Sequence, residues 1–308
     1  MSELRTDFKD EILQEGEQHR IYNIKRKGTD EVVESDIYLE KAYEPQQEGD
    51  NFGAKEVNEI NAHLNVLAGR NLLINGDFQV WQRGVSVSIG SDKWYYTADR
   101  FRCKGSGTVE KVSNGLKVSA STDIQYIMED LDFNKINGQT VTLSYSKNDN
   151  VITSTFTCSS AIVFDITLNA NDILNWVKLE GGNIATQFVP RLYAVELLLC
   201  QRYFVKYEAT TDDLMLWQCM TVGKNARFVV ILPTSLRTVP TIQYDNVVFY
   251  NHNTIYPVTN IRFLLEGMEK NILNMQGDTT TNFSISSDNA GFFRIQKGGY
   301  LAFDAEIY

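Results

Sequence analysis

Asp92 to Arg100, D-K-W-Y-Y-T-A-D-R, is the stretch whose residue types could recognise a ligand. A sugar ring presents apolar C–H faces flanked by hydroxyls. A saccharide site therefore needs a flat aromatic platform with polar side chains beside it to pair with the hydroxyls. Trp94, Tyr95 and Tyr96 supply the platform and Arg100 the polar partner, which makes these four the candidate carbohydrate-binding residues. They sit between Gly90 and an apolar run opening at Phe101, the place of a loop entering a strand, and an exposed aromatic cluster implies binding. The competing use of consecutive aromatics at a strand entry is to fill core and rim. Trp81 and Trp176, each inside an alternating run, are expected in the core.

Signals for covalent chemistry are poor. The chain has three histidines, His19, His63 and His252, and contains no Ser-His-Asp order, no H-E-x-x-H and no phosphate loop. Glycoside hydrolysis needs only two carboxylates. The acidic clusters Glu129-Asp130-x-Asp132 and Asp212-Asp213 have the composition of solvated turns. The chain is therefore read as no enzyme, with no catalytic residue, no cofactor and no metal. Cys103, Cys158, Cys200 and Cys219 lie far apart without C-x-x-C spacing and are expected as buried thiols.

The 308 residues carry a net charge of −10, of which −7 falls in Met1 to Arg70, with sixteen acidic and nine basic residues. Nucleic acid is excluded as a partner, because counterion release requires clustered Lys and Arg. No apolar run has membrane-spanning length, and M-S-E-L-R-T-D-F-K-D-E-I-L-Q lacks the apolar segment of a signal peptide, so membrane insertion and ordinary secretory export are not expected.

The elements that must position these residues follow from periodicity. Arg20–Lys25 and Glu31–Glu40 read as two strands of a hairpin around Lys27 to Asp30. Val57, Ile60, Leu64 and Leu67 recur at spacings of three, four and three, which predicts a helix over Ala54–Ala68 ended by Gly69. From Asn71 to Arg191 the chain reads as β throughout, from strands at Leu72–Ile74 and Phe78–Gln82 to a closing strand at Trp176–Leu179. Asn114-Gly115 and Lys147 to Asn150 mark hairpins, and the spacing is that of two antiparallel sheets packed face to face. Past Pro190 the period changes, with Leu192, Val195, Leu198 and Leu199 on one face of a short linking helix. A second β unit follows to Tyr308. Its last strands, Phe292–Lys297 and Tyr300–Ile307, are expected as a hairpin about Gly298-Gly299, with Leu301, Phe303, Ala305 and Ile307 facing inward. The division expected is thus 1–70, 71–191 and 192–308.

Several of these segments resemble one family. W-x-K-L-E-x-G-x-x-A-T-x-F-x-P-R from Trp176, followed by E-L-x-L-C-Q-R-Y-F from Glu196, is similar to the middle of tail-fibre and receptor-binding proteins of tailed bacteriophages and phage-tail-like particles. The opening N-L-L-x-N-G-D-F at Asn71 and the closing K-L-E-x-G at Lys178 resemble the end strands of jelly-roll carbohydrate-binding modules. K-A-Y-x-P-x-x-E-G-D at Lys41 resembles baseplate-attachment ends, and L-P-T-S-L-R-T-V-P-T-I at Leu232 the segment following C-Q-R-Y in the same fibres. The resemblance implies a mainly β homotrimer on a virion tail. Residues 1–70 would attach to the baseplate through a hairpin and a short helical stalk, a jelly-roll β-sandwich would follow, and a linking helix would lead to a C-terminal β-sandwich head. It implies adhesion to bacterial cell-surface saccharide; the rivals are a purely structural fibre component and an envelope glycan-degrading enzyme. Such modules often hold a structural calcium, with an acidic residue just after N-G-x-F and another in the closing strand. Gln79 and Asn175-Trp176 depart from that ligand set, and Asp77 remains nearby.

Overall fold

A computed structural model of the chain describes residues 22–25, 32–37, 57, 60, 70–251, 254–264, 271–283 and 290–308. Residues 1–68 and 69–308 form two compact units. In the first, β1 (Tyr22–Lys25) pairs antiparallel with β2 (Val32–Ile37), Tyr22 opposite Ile37, as the hairpin reading expected. Of the helix expected over 54–68, Val57 and Ile60 are described and helical. The rest of that helix, its three-fold seam and the Lys41–Asp50 attachment motif lie outside the described residues.

The second unit holds two β bodies with separate cores. In the first body a six-stranded sheet runs in the order β10 (Asn150–Thr157), β9 (Thr140–Lys147), β12 (Ile173–Gly181), β7 (Gly115–Val118), β6 (Gly107–Val112), β3 (Ser86–Ile89). A four-stranded sheet runs β11 (Ile162–Leu168), β8 (Thr122–Ile127), β5 (Phe101–Gly105), β4 (Tyr95–Tyr96). The described pairings within both sheets are antiparallel. Alternate residues of each sheet meet between them: Val109, Leu116, Val141 and Leu179 from one, Phe101, Ile124, Tyr126 and Phe164 from the other. Phe101 and Tyr126 stand edge to face at 5.1 Å, and Tyr145 of the larger sheet meets Phe164 of the smaller at 5.7 Å. The expected antiparallel sandwich is observed.

Its opening segment is not a ladder strand. Asn75 and Phe78 have φ of 60° and 56°, so the chain over 71–82 turns repeatedly where two strands were expected. Side chains hold it in place: Asn71 Nδ2 donates to the Val177 carbonyl at 2.9 Å, and Asn71 Oδ1 accepts from Leu179 N at 3.1 Å. Asn75 Nδ2 donates to the carbonyls of Val80 and Asp99, each at 2.9 Å. Glu129 to Asp132 is not a simple solvated turn either. Asp130 opens α1 (Asp130–Ile136), a short helix that the sequence reading missed, while Glu129 is buried.

The linking helix α2 (Tyr193–Gln201) forms where expected, with an unexpected polarity. It buries Glu196 and Cys200 and leaves Leu192, Tyr193, Val195 and Leu198 exposed. The four cysteines are free and buried, as read.

The C-terminal body is a single sheet: β13 (Phe204–Glu208), β19 (Ala290–Asp304), β14 (Leu214–Val222), β15 (Asn225–Ile231), β18 (Ile272–Thr279), β17 (Thr254–Phe263), β16 (Thr241–Asn251). β16 also pairs with β19, so the sheet closes on itself and the mainly β class takes a barrel-like form here. β19 replaces the expected hairpin. Gly298, at φ 80°, lets residues 296–299 bulge opposite Asn246, so both halves of β19 run along β16 in one direction, Tyr300 opposite Asp245 and Ile295 opposite Val247. Leu301, Phe303 and Ala305 are buried as expected. The core is aromatic: Phe228 stacks on Phe293 at 4.8 Å and Phe249 meets Phe293 edge to face at 5.4 Å. Gly277 makes room for it, since a Cβ there would lie 2.6 Å from the Phe249 ring.

Candidate functional site: an aromatic and arginine row on the four-stranded sheet

Tyr95 pairs with Cys103, and Tyr96 with Arg102, so Trp94 and Tyr96 share the outer face of the four-stranded sheet with Arg100 and Arg102 while Tyr95 turns toward the core. The second body covers half of that face, and this divides the four predicted residues.

Arg100 and Tyr96 lie in the covered half. Arg100 is 1 % exposed. Its guanidinium pairs with Glu306, donates to the Ile127 carbonyl at 2.7 Å and lies 3.6 Å over the Tyr203 ring. Tyr96 donates its hydroxyl to the Ile307 carbonyl at 2.5 Å and packs edge to face on Tyr308. Neither can face a saccharide. Arg100 takes φ of 72°, in a turn closed by Thr97 N to Phe101 O at 3.0 Å, so A-D-R-F aims the arginine into the seam between the bodies.

Neighbouring charges complete that seam. Arg83 lies 3.7 Å over Phe204, with Asp99 and Glu306 at 3.6 Å and Asp304 at 3.5 Å. Asp99 accepts from Gln82 N at 3.0 Å and Gln82 Nε2 at 2.5 Å. Glu129 accepts from Arg202 Nη2 at 2.6 Å and the Tyr203 hydroxyl at 2.8 Å, and Arg237 Nη2 donates to the Glu306 carbonyl at 3.0 Å. Burial pushes Asp99 up to about 6, against the pull of Arg83 and Gln82. Burial opposes the charge on Arg83, yet Glu306, Asp99 and Asp304 outweigh it and hold that pKa above its ordinary value. W-Q-R-G, A-D-R-F, C-Q-R-Y-F and L-R-T-V-P thus converge on one buried ionic seam.

Trp94 lies in the open half. The Arg102 guanidinium stacks 4.8 Å from its ring. Arg102 in turn donates to Gln125 Oε1 through Nε at 3.2 Å and Nη2 at 2.8 Å, and Gln125 Nε2 donates to Asp165 at 2.8 Å. Register explains the alignment: Arg102 pairs with Gln125, and Gln125 with Asp165, across three adjacent strands. Burial holds the Arg102 pKa below its ordinary value. Tyr95 is tied into its own loop, its hydroxyl donating to Asp92 at 2.9 Å, which raises the Tyr95 pKa and lowers that of Asp92. The structure therefore groups Trp94 with Arg102, Gln125 and Asp165. Sequence reasoning missed the last three; their only signal was a polar residue at alternate positions of three strands, which any solvated face shares.

Trp176 is not in the core. The register shifts between Leu174 and Trp176, and this bulge turns Trp176 outward, where it stacks on Phe188 at 4.9 Å. Lys178 and Glu180 follow on the same face, buried and paired at 3.0 Å beneath Thr186, which donates to Glu180 Oε1 through its N–H at 2.8 Å.

The calcium implied by the jelly-roll resemblance does not fit the residues present. Gln79 Nε2 donates to both oxygens of Asp77, at 3.1 and 2.9 Å, and Lys111 Nζ donates to the Gln79 carbonyl at 2.7 Å. An amide N–H and an ammonium stand where a cation would need oxygens. Among the described residues, no three His, Cys, Asp or Glu side chains gather as a metal site, and no helix is long and apolar enough to cross a membrane.

No protein-family model, curated protein or solved structure matches the chain.

Proposed function

We propose that this chain is a homotrimeric tail-fibre adhesin of a bacteriophage or phage-tail-like particle, attached to the baseplate through residues 1–70 and binding bacterial cell-surface saccharide through the open half of the four-stranded sheet. The observation that carries the binding role is Trp94, held by Arg102 beside Gln125 and Asp165. The ring offers an apolar surface to sugar C–H groups, and Asp165, exposed at the end of the row, accepts from hydroxyls. Because Arg102 is fixed by two hydrogen bonds to Gln125, little side-chain freedom remains to be lost on binding. The motifs resembling tail fibres supply the biological setting. Three such faces on one particle turn a weak single site into firm adhesion through effective concentration.

The test is binding of the full chain to an array of bacterial envelope polysaccharides, alongside its mass in solution. The expected result is a trimer whose retention on at least one polysaccharide falls at least tenfold in Trp94→Ala. A stable monomer at micromolar concentration would overturn the trimer. Retention unchanged by Trp94→Ala would overturn the site.

A further inference from the structure

On the opposite side of the sandwich, outside the six-stranded sheet, lies a cleft of about 580 Å³ lined by Asp77, Gln79, Lys111, Asn114, Asp149 and Trp176, among others. Its floor is set by register. Val151 pairs with Ser146, and Ser146 with Trp176, so one row crosses three adjacent strands with a small hydroxyl residue between two apolar ones. At a strand spacing of about 4.8 Å, Val151 and Trp176 stand roughly 10 Å apart, with the low Ser146 between them. Val151 is 63 % exposed although it belongs to a strand, and it is part of this floor.

The cleft is rigid for reasons of its own. Asn175, at the bulge that turns Trp176 outward, accepts from Ser146 Oγ at 3.1 Å and Asp149 N at 3.0 Å, and donates to the Asn114 carbonyl at 3.1 Å. One side chain thus fixes the β9–β10 turn, the β6–β7 turn and the floor. Gly115 lets the β6–β7 turn close in: a Cβ there would lie 2.2 Å from the Leu174 carbonyl. Phe188 lies parallel to the Trp176 ring at an interplanar angle of 11° and fixes its plane. Asp77, Gln79 and Lys111 form the other wall through the bonds described above.

We infer that this cleft is a second saccharide site, distinct from the Trp94 face and selective for uncharged sugars. A fixed indole and an exposed valine supply apolar contact, and a hydroxyl, amides, carboxylates and one ammonium supply partners for hydroxyls. The charged lining groups, Asp77 and Asp149 against Lys111, leave a net negative charge, which disfavours uronates, sialates and phosphorylated sugars. Two sites on opposite faces of one sandwich would let a single chain hold two glycan strands.

The inference stands apart from the proposed adhesin role, because each face can be blocked alone. The full chain, Trp94→Ala, Val151→Arg and the double variant are titrated calorimetrically with maltotetraose, cellotetraose and chitotetraose, with trigalacturonate as the anionic probe. Val151→Arg fills the cleft from an exposed strand position, and an unchanged thermal midpoint verifies its fold. The expected result is that Trp94→Ala still binds at least one neutral tetrasaccharide, that adding Val151→Arg weakens this at least tenfold, and that trigalacturonate binds at least tenfold more weakly. Absence of neutral-sugar binding by Trp94→Ala, indifference to Val151→Arg, or preference for trigalacturonate would each overturn it. Loss of binding in Trp94→Ala alone, with Val151→Arg like wild type, would leave the Trp94 site standing and remove the cleft.

Discussion

Arg100 and Arg102 are two residues apart on one strand face, each with an aromatic ring against its guanidinium and a carboxylate within its hydrogen-bonded network, yet their surroundings differ. Arg100 is enclosed by Tyr203, Tyr126 and Glu306 and ties two β bodies together. Arg102, beneath Trp94, lies toward the open end of the same face against a half-buried ring. Chemistry of the same kind becomes an internal fastening where a second body covers it and an open row of side chains where none does. Residue type proposes a role, and desolvation selects it.

The comparison breaks most sharply at Arg100. Arg100→Ala leaves Glu306 buried without this partner and should cost about 3–5 kcal/mol, read as a lower urea midpoint. Arg102→Ala should cost clearly less. Equal losses would erase the distinction between the two ends of the face.

Acidity sharpens it next. Asp99 is raised in the folded chain from an ordinary 3.8 to about 6, so the folded state binds its proton more tightly than the unfolded one. Stability from this group is full below about pH 4 and is lost as pH rises through 6, amounting to roughly 3 kcal/mol. From pH 7 to pH 5 wild type should therefore gain stability relative to Asp99→Asn, whose own curve lacks that rise. Arg83, Gln82 and Glu306 are the groups that face Asp99, and the Asn variant leaves them in place. Parallel curves for the two proteins between pH 5 and 7 would contradict the assignment.

The smallest stability effect is expected at the open end. Trp94→Ala should change unfolding free energy by about 1 kcal/mol or less while weakening retention on at least one polysaccharide at least tenfold, because its ring lies against Arg102 outside the buried core. A loss of several kcal/mol would mark Trp94 as scaffold.

Much of this architecture was legible from residue order. Alternation in Asn225–Ile231, whose exposure alternates strictly along the strand, and turn signals such as Asn114-Gly115 located strands and hairpins because their causes are local. The opening segment failed because Asn75 and Phe78 adopt positive φ under tertiary hydrogen bonds from Asn71, Asn75 and Arg191, which no local pattern announces. The Gly298-Gly299 pair was readable as a backbone irregularity, yet whether it reverses the chain or bulges it depended on β16 running alongside both halves.

The candidate site divided in the same way. Residue order alone determined that the chain is mainly β, that its cysteines are interior thiols and that an aromatic cluster with an arginine sits at a strand entry. Tertiary structure decided which of those aromatics meets solvent, because the packing of residues 203 and 306–308 over half a sheet face joins positions about a hundred or more residues apart. A strand pattern states which side chains share a face. What covers that face is settled only when distant segments meet, and their burial then makes one arginine a fastening and leaves its neighbour against a ring that stays uncovered.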